Sequence, residues 1–401
     1  MQKLRFNADD GSPFPDWEEK KLGDVCTPLT YGMNAAAVKY DGENKYIRIT
    51  DIDDESHLYK NDELVSPDGE LDDKYLVGEN DILLARTGAS VGKSYLYDKK
   101  DGKLYYAGFL IKAHVKSENS KFIFYQTLTD RYARWVQVTS MRSGQPGINA
   151  NEYSEFIVHV PSLPEQQKIA EFLSTVDTVI EKQKETVSAW EERKKGVMQK
   201  LFSQEVRFKA DDGSDFPEWE EKKLGDICKT FSGGTPKSEE ARYYENGTIS
   251  FIRSGEIHDD KTELRITNDG LNESSAKMVD IGDVLYALYG ATSGEVDISK
   301  IKGAINQAIL CIRPLNDFNR KFIVEILRHN KETILRTYLQ GGQGNLSAQI
   351  LQSLVFDFPC LAEQQKIADC LVSFDEVIEK QKATLAAWEE LKKGLLQQMF
   401  V

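Results

Sequence analysis

The chain has 401 residues, of which 51 are basic and 65 acidic, giving a formal charge of −14, with 40% hydrophobic and 29% charged residues. That balance is ordinary for a globular protein of two or three domains, and no apolar run approaches the ~20 residues of a membrane span. The opening MQKLRFNADD lacks a signal-peptide core, and Cys26, Cys228, Cys311, Cys360 and Cys370 show no CxxC zinc spacing, so a reduced, cytoplasmic protein without membrane contact is expected.

In chain order, the first element is a block that recurs. Arg5–Cys26 (RFNADDGSPFPDWEEKKLGDVC) returns as Arg207–Cys228 (RFKADDGSDFPEWEEKKLGDIC), and Pro161–Phe202 returns as Pro359–Phe400. The segments between, roughly 27–160 and 229–358, share little. Repeats set architecture, and two near-identical frames around two dissimilar inserts predict one scaffold presenting two different readers. Met1–Leu4 (MQKL) also matches Met198–Leu201. The chain thus starts at the point where a helical block ends, which predicts an internal pseudo-two-fold ring with adjacent termini.

Each insert reads as a β-rich domain. Lys45–Ile52 corresponds to Ser250–Ile257, and Asn80–Lys93 (NDILLARTGASVGK) to Gly282–Glu295 (GDVLYALYGATSGE), an apolar strand followed by a glycine turn. A second glycine-rich turn precedes each helical block, at Ser143–Ala150 and Gly341–Ala348, with Arg131, Arg134 and Arg142 near the first and Arg328 and Arg336 near the second. Charge is graded within the inserts. Asp41–Asp81 holds 14 acids against 4 bases, and Ile82–Asn151 holds 11 bases against 4 acids. In the second insert, Ser238–Asp283 has 11 acids against 5 bases and Val284–Gln349 has 8 bases against 5 acids. A local basic face can meet phosphate despite an acidic total.

The helical blocks carry apolar residues at alternating steps of four and three, the coiled-coil pattern. The first seam runs Ile169, Leu173, Val176, Ile180, Val187, Trp190, and the second Ile367, Leu371, Phe374, Ile378, Leu385, Trp388. Lys194 and Lys392 fall on the same seams, as do Gln183 and Gln381, polar positions suited to fixing register. Pro164 fits a first turn, and each helix spans roughly 55 Å. The two copies are expected to pair antiparallel; the alternative is that each packs only on its own domain.

Catalytic motifs do not emerge. Thr87–Ser94 (TGASVGKS) imitates a phosphate loop, but its first glycine is displaced and its repeat partner Tyr289–Val296 has no lysine. Pro67–Lys74 is too compressed for a nuclease site, and Asp51–Glu55 lacks the glycine and closing glutamate of a calcium loop. The five histidines are scattered, and no metal or catalytic residue is assigned.

Proline-preceded EQQKIA at Glu165–Ala170, its copy at Glu363–Ala368, the paired heptads and the KLGD-led divergent inserts together resemble the specificity (S, HsdS-type) subunit of type I restriction–modification systems. The resemblance covers the whole chain. It implies an α+β fold with two β-rich target-recognition domains separated by two long antiparallel coiled-coil helices. The expected segments are 1–160 (first recognition domain), 161–204 (first spacer helix), 205–358 (second recognition domain) and 359–401 (second spacer helix). It further implies a non-catalytic, DNA-binding subunit that reads a bipartite asymmetric site in double-stranded DNA, one half per domain. Two methyltransferase (M) subunits would dock on the helices, and restriction (R) subunits would join through the complex that those two M subunits form with S. S-adenosylmethionine would belong to M, ATP and magnesium to R, and no cofactor to this chain. Alternatives are a fused or type II-like restriction system on the same scaffold, or a coiled-coil adaptor that binds no DNA. Because base-edge contacts confer sequence choice, the residues expected to touch DNA are Arg48, Arg86, Arg142, Gln145 and Asn149 in the first insert. In the second they are Arg253, Tyr289, Gln343 and Asn345. If the helices act as a ruler, the segment Lys200–Val206 is expected to set the spacing.

Overall fold

The computed structural model describes residues 4–141, 145–339 and 345–400. The chain divides into two compact units, Met1–Glu185 with Ala383–Val401, and Thr186–Lys382.

In the first unit, β1 (Thr30–Tyr31), β2 (Asp81–Ala85), β3 (Ser94–Leu96) and β4 (Leu110–His114) form an antiparallel sheet in the order β1-β4-β2-β3. Every residue of β2 is buried, and the period of two in a strand explains how. Ile82 and Leu84 face a core shared with helices α1 (Ser120–Gln126) and α2 (Asp130–Thr139). Leu83 and Ala85 face a second core shared with the strands Lys45–Ile47, Leu76–Val77 and Leu104–Tyr106. The second unit repeats the plan with β5 (Cys228–Ser232), β6 (Val284–Ala287), β7 (Val296–Ile298) and β8 (Ile309–Pro314), ordered β5-β8-β6-β7. There Val284 and Tyr286 turn to one core, and Leu285 and Ala287 to the other.

The repeated blocks close each unit. Glu18–Lys21 pairs with Ile157–Val160, and Glu220–Lys223 pairs in the same register with Val355–Phe358. The EQQK motif then locks the frame to the start of a long helix, α3 (Leu163–Phe202) in the first unit and α5 (Leu361–Met399) in the second. Arg5 grips the buried Glu165 carboxylate through Nε at 3.0 Å and Nη2 at 2.8 Å. Arg207 does the same to Glu363 at 3.1 and 2.8 Å. Gln166 accepts from the Asn119 amide at 2.9 Å, and Gln364 from the Asn319 amide at 2.9 Å, which ties the motif to the caps of α1 and of α4 (Arg320–Leu339). Lys168 and Lys366 hold the ADDG turns through Asp9 and Asp211. The motif is therefore a staple, and its repetition reflects assembly of the frame.

Both expected roles of the helices occur together. At the helix ends the seams are absorbed into domain cores. Ile169, Ala170, Leu173, Leu396, Met399 and Phe400 join the first core, and Leu201, Ile367, Ala368 and Leu371 the second. Between the ends, the helices run antiparallel within each unit. Asp177 meets Lys392 at 2.7 Å and Lys184 meets Glu389 at 2.9 Å in the first unit. Their repeat counterparts, Lys194–Asp375 at 2.8 Å and Lys382–Glu191 at 2.8 Å, lie in the second. Of the seam residues, Val176, Ile180, Val187 and Ile378 are also buried, while Trp190, Phe374, Leu385 and Trp388 are half-buried. In the first unit the Leu4 amide donates to the Gln398 carbonyl at 3.1 Å, the adjacency expected from the matching MQKL segments.

Candidate nucleic-acid interface

The two glycine-rich turns of the first insert meet at one end of the main sheet. The Ile148 amide donates to the Arg86 carbonyl at 2.9 Å, the Gly88 amide to the Pro146 carbonyl at 3.1 Å, and Thr87 bridges Gly147. The turn after β2 needs glycine twice. Gly88 (φ +76°) and Gly92 (φ +88°) occupy the left-handed region, and a Cβ on Gly92 would stand 2.7 Å from Val136. Gly290 (φ +91°) and Gly294 (φ +84°) repeat the geometry in the second unit. There the Leu346 amide donates to the Leu288 carbonyl at 3.1 Å. Both inserts thus build the same glycine turn after the central strand and tie it by one equivalent backbone bond to the residue two before the following short helix, with different side chains.

The expected DNA-contacting residues divide sharply. Arg48 and Arg253 are occupied within the chain. Arg48 clasps Asp51 through Nε at 2.8 Å and Nη2 at 2.7 Å, and Arg253 clasps Glu256 at 3.1 Å and Glu263 at 2.5 Å. These acids hold both guanidinium groups firmly charged, with the hydrogen bonds to Asp51 and Glu256 as the leading causes. Asn149 caps the helix Ala150–Ser154, accepting from the Glu152 amide at 2.9 Å. Tyr289 is half-buried against the second core. Gln145 is exposed, its Nε2 3.3 Å from the position of a Cβ on Gly88, and Asn345 is exposed beside Leu346. Arg142 and Gln343 lie outside the described residues.

Arg86 differs from Arg48 and Arg253. Among the described residues no carboxylate pairs with it; its guanidinium lies 4.8 Å from the centre of the Tyr31 ring. Arg134 is exposed and likewise unpaired among the described residues. Arg131 instead supports the frame through the Ile157 carbonyl at 2.7 Å, and Arg328 is bound by Glu325 at 2.7 Å and Asp297 at 3.2 Å. Lys93, the lysine of the phosphate-loop lookalike, pairs with Asp54 at 2.5 Å and the Ile52 carbonyl at 3.0 Å. Among the described residues no group of three or more His, Cys, Asp or Glu side chains could hold a metal ion. Burial pushes the Cys26 and Cys228 thiols up to about 12, the behaviour of small core residues. Tyr31 and Phe109 are not singled out by sequence. Their signal is positional only: Tyr31 ends β1 and Phe109 precedes β4, the strand that pairs with both β1 and β2.

Comparison with known proteins assigns the family. The family described as Type I restriction modification DNA specificity domain matches residues 15–188 and again 217–387. The type I restriction enzyme MjaVIII specificity subunit of Methanocaldococcus jannaschii is 25% identical over 406 residues, covering 95% of this chain and 91% of that protein. The Escherichia coli EcoR124I/EcoR124II specificity subunit is 27% identical over 166 residues, 39% of this chain and 41% of its own length. Among solved structures, a type I restriction-modification S subunit from M. genitalium superposes with a TM-score of 0.62 at 15% identity, covering 100% and 99% of the two chains. A chain from a structure of type I R-M complex assembly and conformational transition gives 0.56 at 20% identity, covering 96% and 98%. The shared fold and the two matches, which together span most of the sequence, show that the chain belongs to the type I restriction–modification DNA specificity family and carries two specificity domains.

Proposed function

We propose that this chain is the sequence-reading subunit of a type I restriction–modification complex, each unit reading one half of a bipartite asymmetric DNA site. The observation that carries this is the same glycine turn and backbone tie built twice on near-identical frames from dissimilar side chains. Phosphate contacts supply affinity and base contacts supply choice, so a frame that docks the same partner twice stays constant while its readers diverge. The recognition domains are residues 1–160 and 205–358, and the helical segments 161–204 and 359–401 dock two M subunits, with R subunits joining that assembly. In this reading S-adenosylmethionine belongs to M, and ATP and magnesium belong to R. The contact residues in this reading are Arg86, Arg142 and Gln145 in the first unit and Gln343 and Asn345 in the second. Asn149 and Tyr289 border the loops that carry them, while Arg48 and Arg253 close turns elsewhere in each insert.

The test is a domain exchange. Replacing Thr27–Val160 with the insert of another family member should change one half of the methylated sequence and leave the other half intact, as mapped by methylome sequencing of cells carrying the chain and its M partner. Changes in both halves would refute two independent readers.

A further inference from the structure

The two units differ in the side chains they place where the pairing of the central strands ends. The Arg86 amide donates to the Phe109 carbonyl at 3.0 Å. Since Ala85 pairs with Leu110, Arg86 and Phe109 form the next cross-strand pair. Strand alternation puts both side chains on the face that carries Leu84 and Ile111. Tyr31 pairs with Ile111 across β1 and β4, so it shares this face. Leu84 and Ile111 are buried under the helices; one step further along, the face emerges from the core.

What emerges is an arginine held by an aromatic ring beside an exposed phenylalanine. The Tyr31 hydroxyl accepts from the Ala150 amide at 3.1 Å, which anchors the ring, and Arg86 Nη1 reaches the Gly108 carbonyl at 3.4 Å. Phe109 is 63% exposed, Val138 70% and Met141 74%, the three most exposed large apolar side chains described in the first unit. Val138 and Met141 flank Ser140, whose carbonyl accepts from the Gly147 amide of the loop pair at 3.3 Å. By strand register the corresponding positions of the second unit are Ser232, Leu288 and Ala308.

We infer that Arg86 and Phe109 act as a two-residue reader of the first half-site, the guanidinium taking a guanine edge and the phenyl ring packing on the 5-methyl group of a thymine in a neighbouring base pair. The inference rests on the DNA-reading function proposed above. Charge complementarity favours DNA as the occupant, because Arg86 stands on this face with no carboxylate paired to it among the described residues, and Arg134, exposed and likewise unpaired, lies one helical turn before Val138 on α2. The major groove admits a two-stranded ribbon such as the end of β2 and β4, and apolar contact is how a thymine methyl is read there. Cross-strand side chains stand ~5 Å apart at Cβ, a span that long side chains close to the ~3.4 Å base-pair step. Tyr31 pre-orients the planar guanidinium, which loses less freedom on binding a guanine.

The experiment uses the chain assembled with its M subunits and a duplex carrying its methylome-defined site. Each thymine of the first half-site is replaced in turn by uracil, which lacks only the methyl group. At one position the wild-type complex should bind roughly four-fold more weakly, the worth of one buried methyl. Phe109→Ala should bind the thymine and uracil duplexes alike, and Phe109→Leu should restore part of the difference. Discrimination at the second half-site, unchanged in both variants, reports that they are folded. A Phe109→Ala complex that stays as uracil-sensitive as wild type overturns the inference, as does a first half-site with no uracil-sensitive thymine. Both of those results leave the DNA-reading function standing. Failure of the wild-type complex to bind any specific site would overturn both.

Discussion

Arg5 and Arg207 hold each repeated frame to its helix, and their surroundings differ by one bond. Glu165 and Glu363 are both fully buried. Glu363 also accepts from Trp219 Nε1 at 3.2 Å, whereas Trp17 Nε1 is buried without a hydrogen-bond partner. Removing one partner of a buried pair strands a charge at about 3–5 kcal/mol. Arg5→Ala should therefore destabilise the first unit by about that much in urea unfolding. Arg207→Ala should cost the second unit about 1 kcal/mol less, because the Trp219 bond remains. Equal losses would show that the tryptophan contact contributes nothing. His258 gives a pH signature in the second unit. It bonds Asp297 at 2.9 Å and lies 3.4 Å from Glu295, with Arg328 and Lys331 beyond those acids and the Lys300 ammonium on its carbonyl. The Asp297 hydrogen bond raises its pKa against burial and the Arg328 charge. A raised pKa means the stabilisation is complete below the unfolded value of about 6.5 and fades as pH climbs through the folded one. The site is half-exposed, so the contribution is at most about 1 kcal/mol, or a few degrees in Tm. Wild type should lose more thermal stability than His258→Gln between pH 6 and 8; parallel curves would remove His258 as the cause.

At the scale of elements, the legible parts of the fold are those written twice. The glycine turn after each central strand and the 4-3 seams follow from repetition combined with period and lie where the sequence predicts them, whereas the short frame strands Glu18–Lys21 and Glu220–Lys223 are a finding of the structure. The polar seam positions Lys194 and Lys392 also resolve, since each is met by an aspartate of the opposing helix. At Arg48 and Arg253, an arginine retained at equivalent places in two divergent inserts closes the same turn in both, each on an acid three residues on. Arg86, whose counterpart is Leu288, carries the opposite signature. One break is not visible in sequence at all. The single helix α4 of the second unit is split in the first between α1 and α2, where Thr129 caps the new start by accepting from the Tyr132 amide at 3.3 Å and Thr127 bonds Ser94 at 2.7 Å. Nothing in QTLTDRY forbids a continuous helix; the choice depends on a hydroxyl pair brought together only by the tertiary fold.

Over the whole molecule, the remaining question is what sets the unread spacing between the two halves of the site. Repeat boundaries alone place the ruler at Lys200–Val206, but that stretch is already committed within the second unit. Val197, Met198, Leu201 and Phe202 pack into its core, Gln204 (φ +59°) ends the helix, and the Val206 amide closes on the Lys200 carbonyl at 3.2 Å. An insertion there would disrupt the packing before it lengthened anything. The adjustable length lies instead where the paired helices pass between units, at Glu185–Thr186 in α3 and Lys382–Ala383 in α5. Four helical residues added at both points, so that the pairing is kept, advance the second unit by ~6 Å and turn it by about 400°, a net ~40°. One base pair of B-DNA turns by roughly 35° and rises ~3.4 Å. The rotations nearly match, and modest bending of the DNA absorbs the axial excess. If each unit reads its own half-site, the four-residue variant should keep both halves and lengthen the spacer by about one base pair in methylome mapping. A two-residue insertion turns the second reader by ~200° and should abolish methylation. An unchanged spacer in the four-residue variant would show that α3 serves only to dock M and does not measure the site.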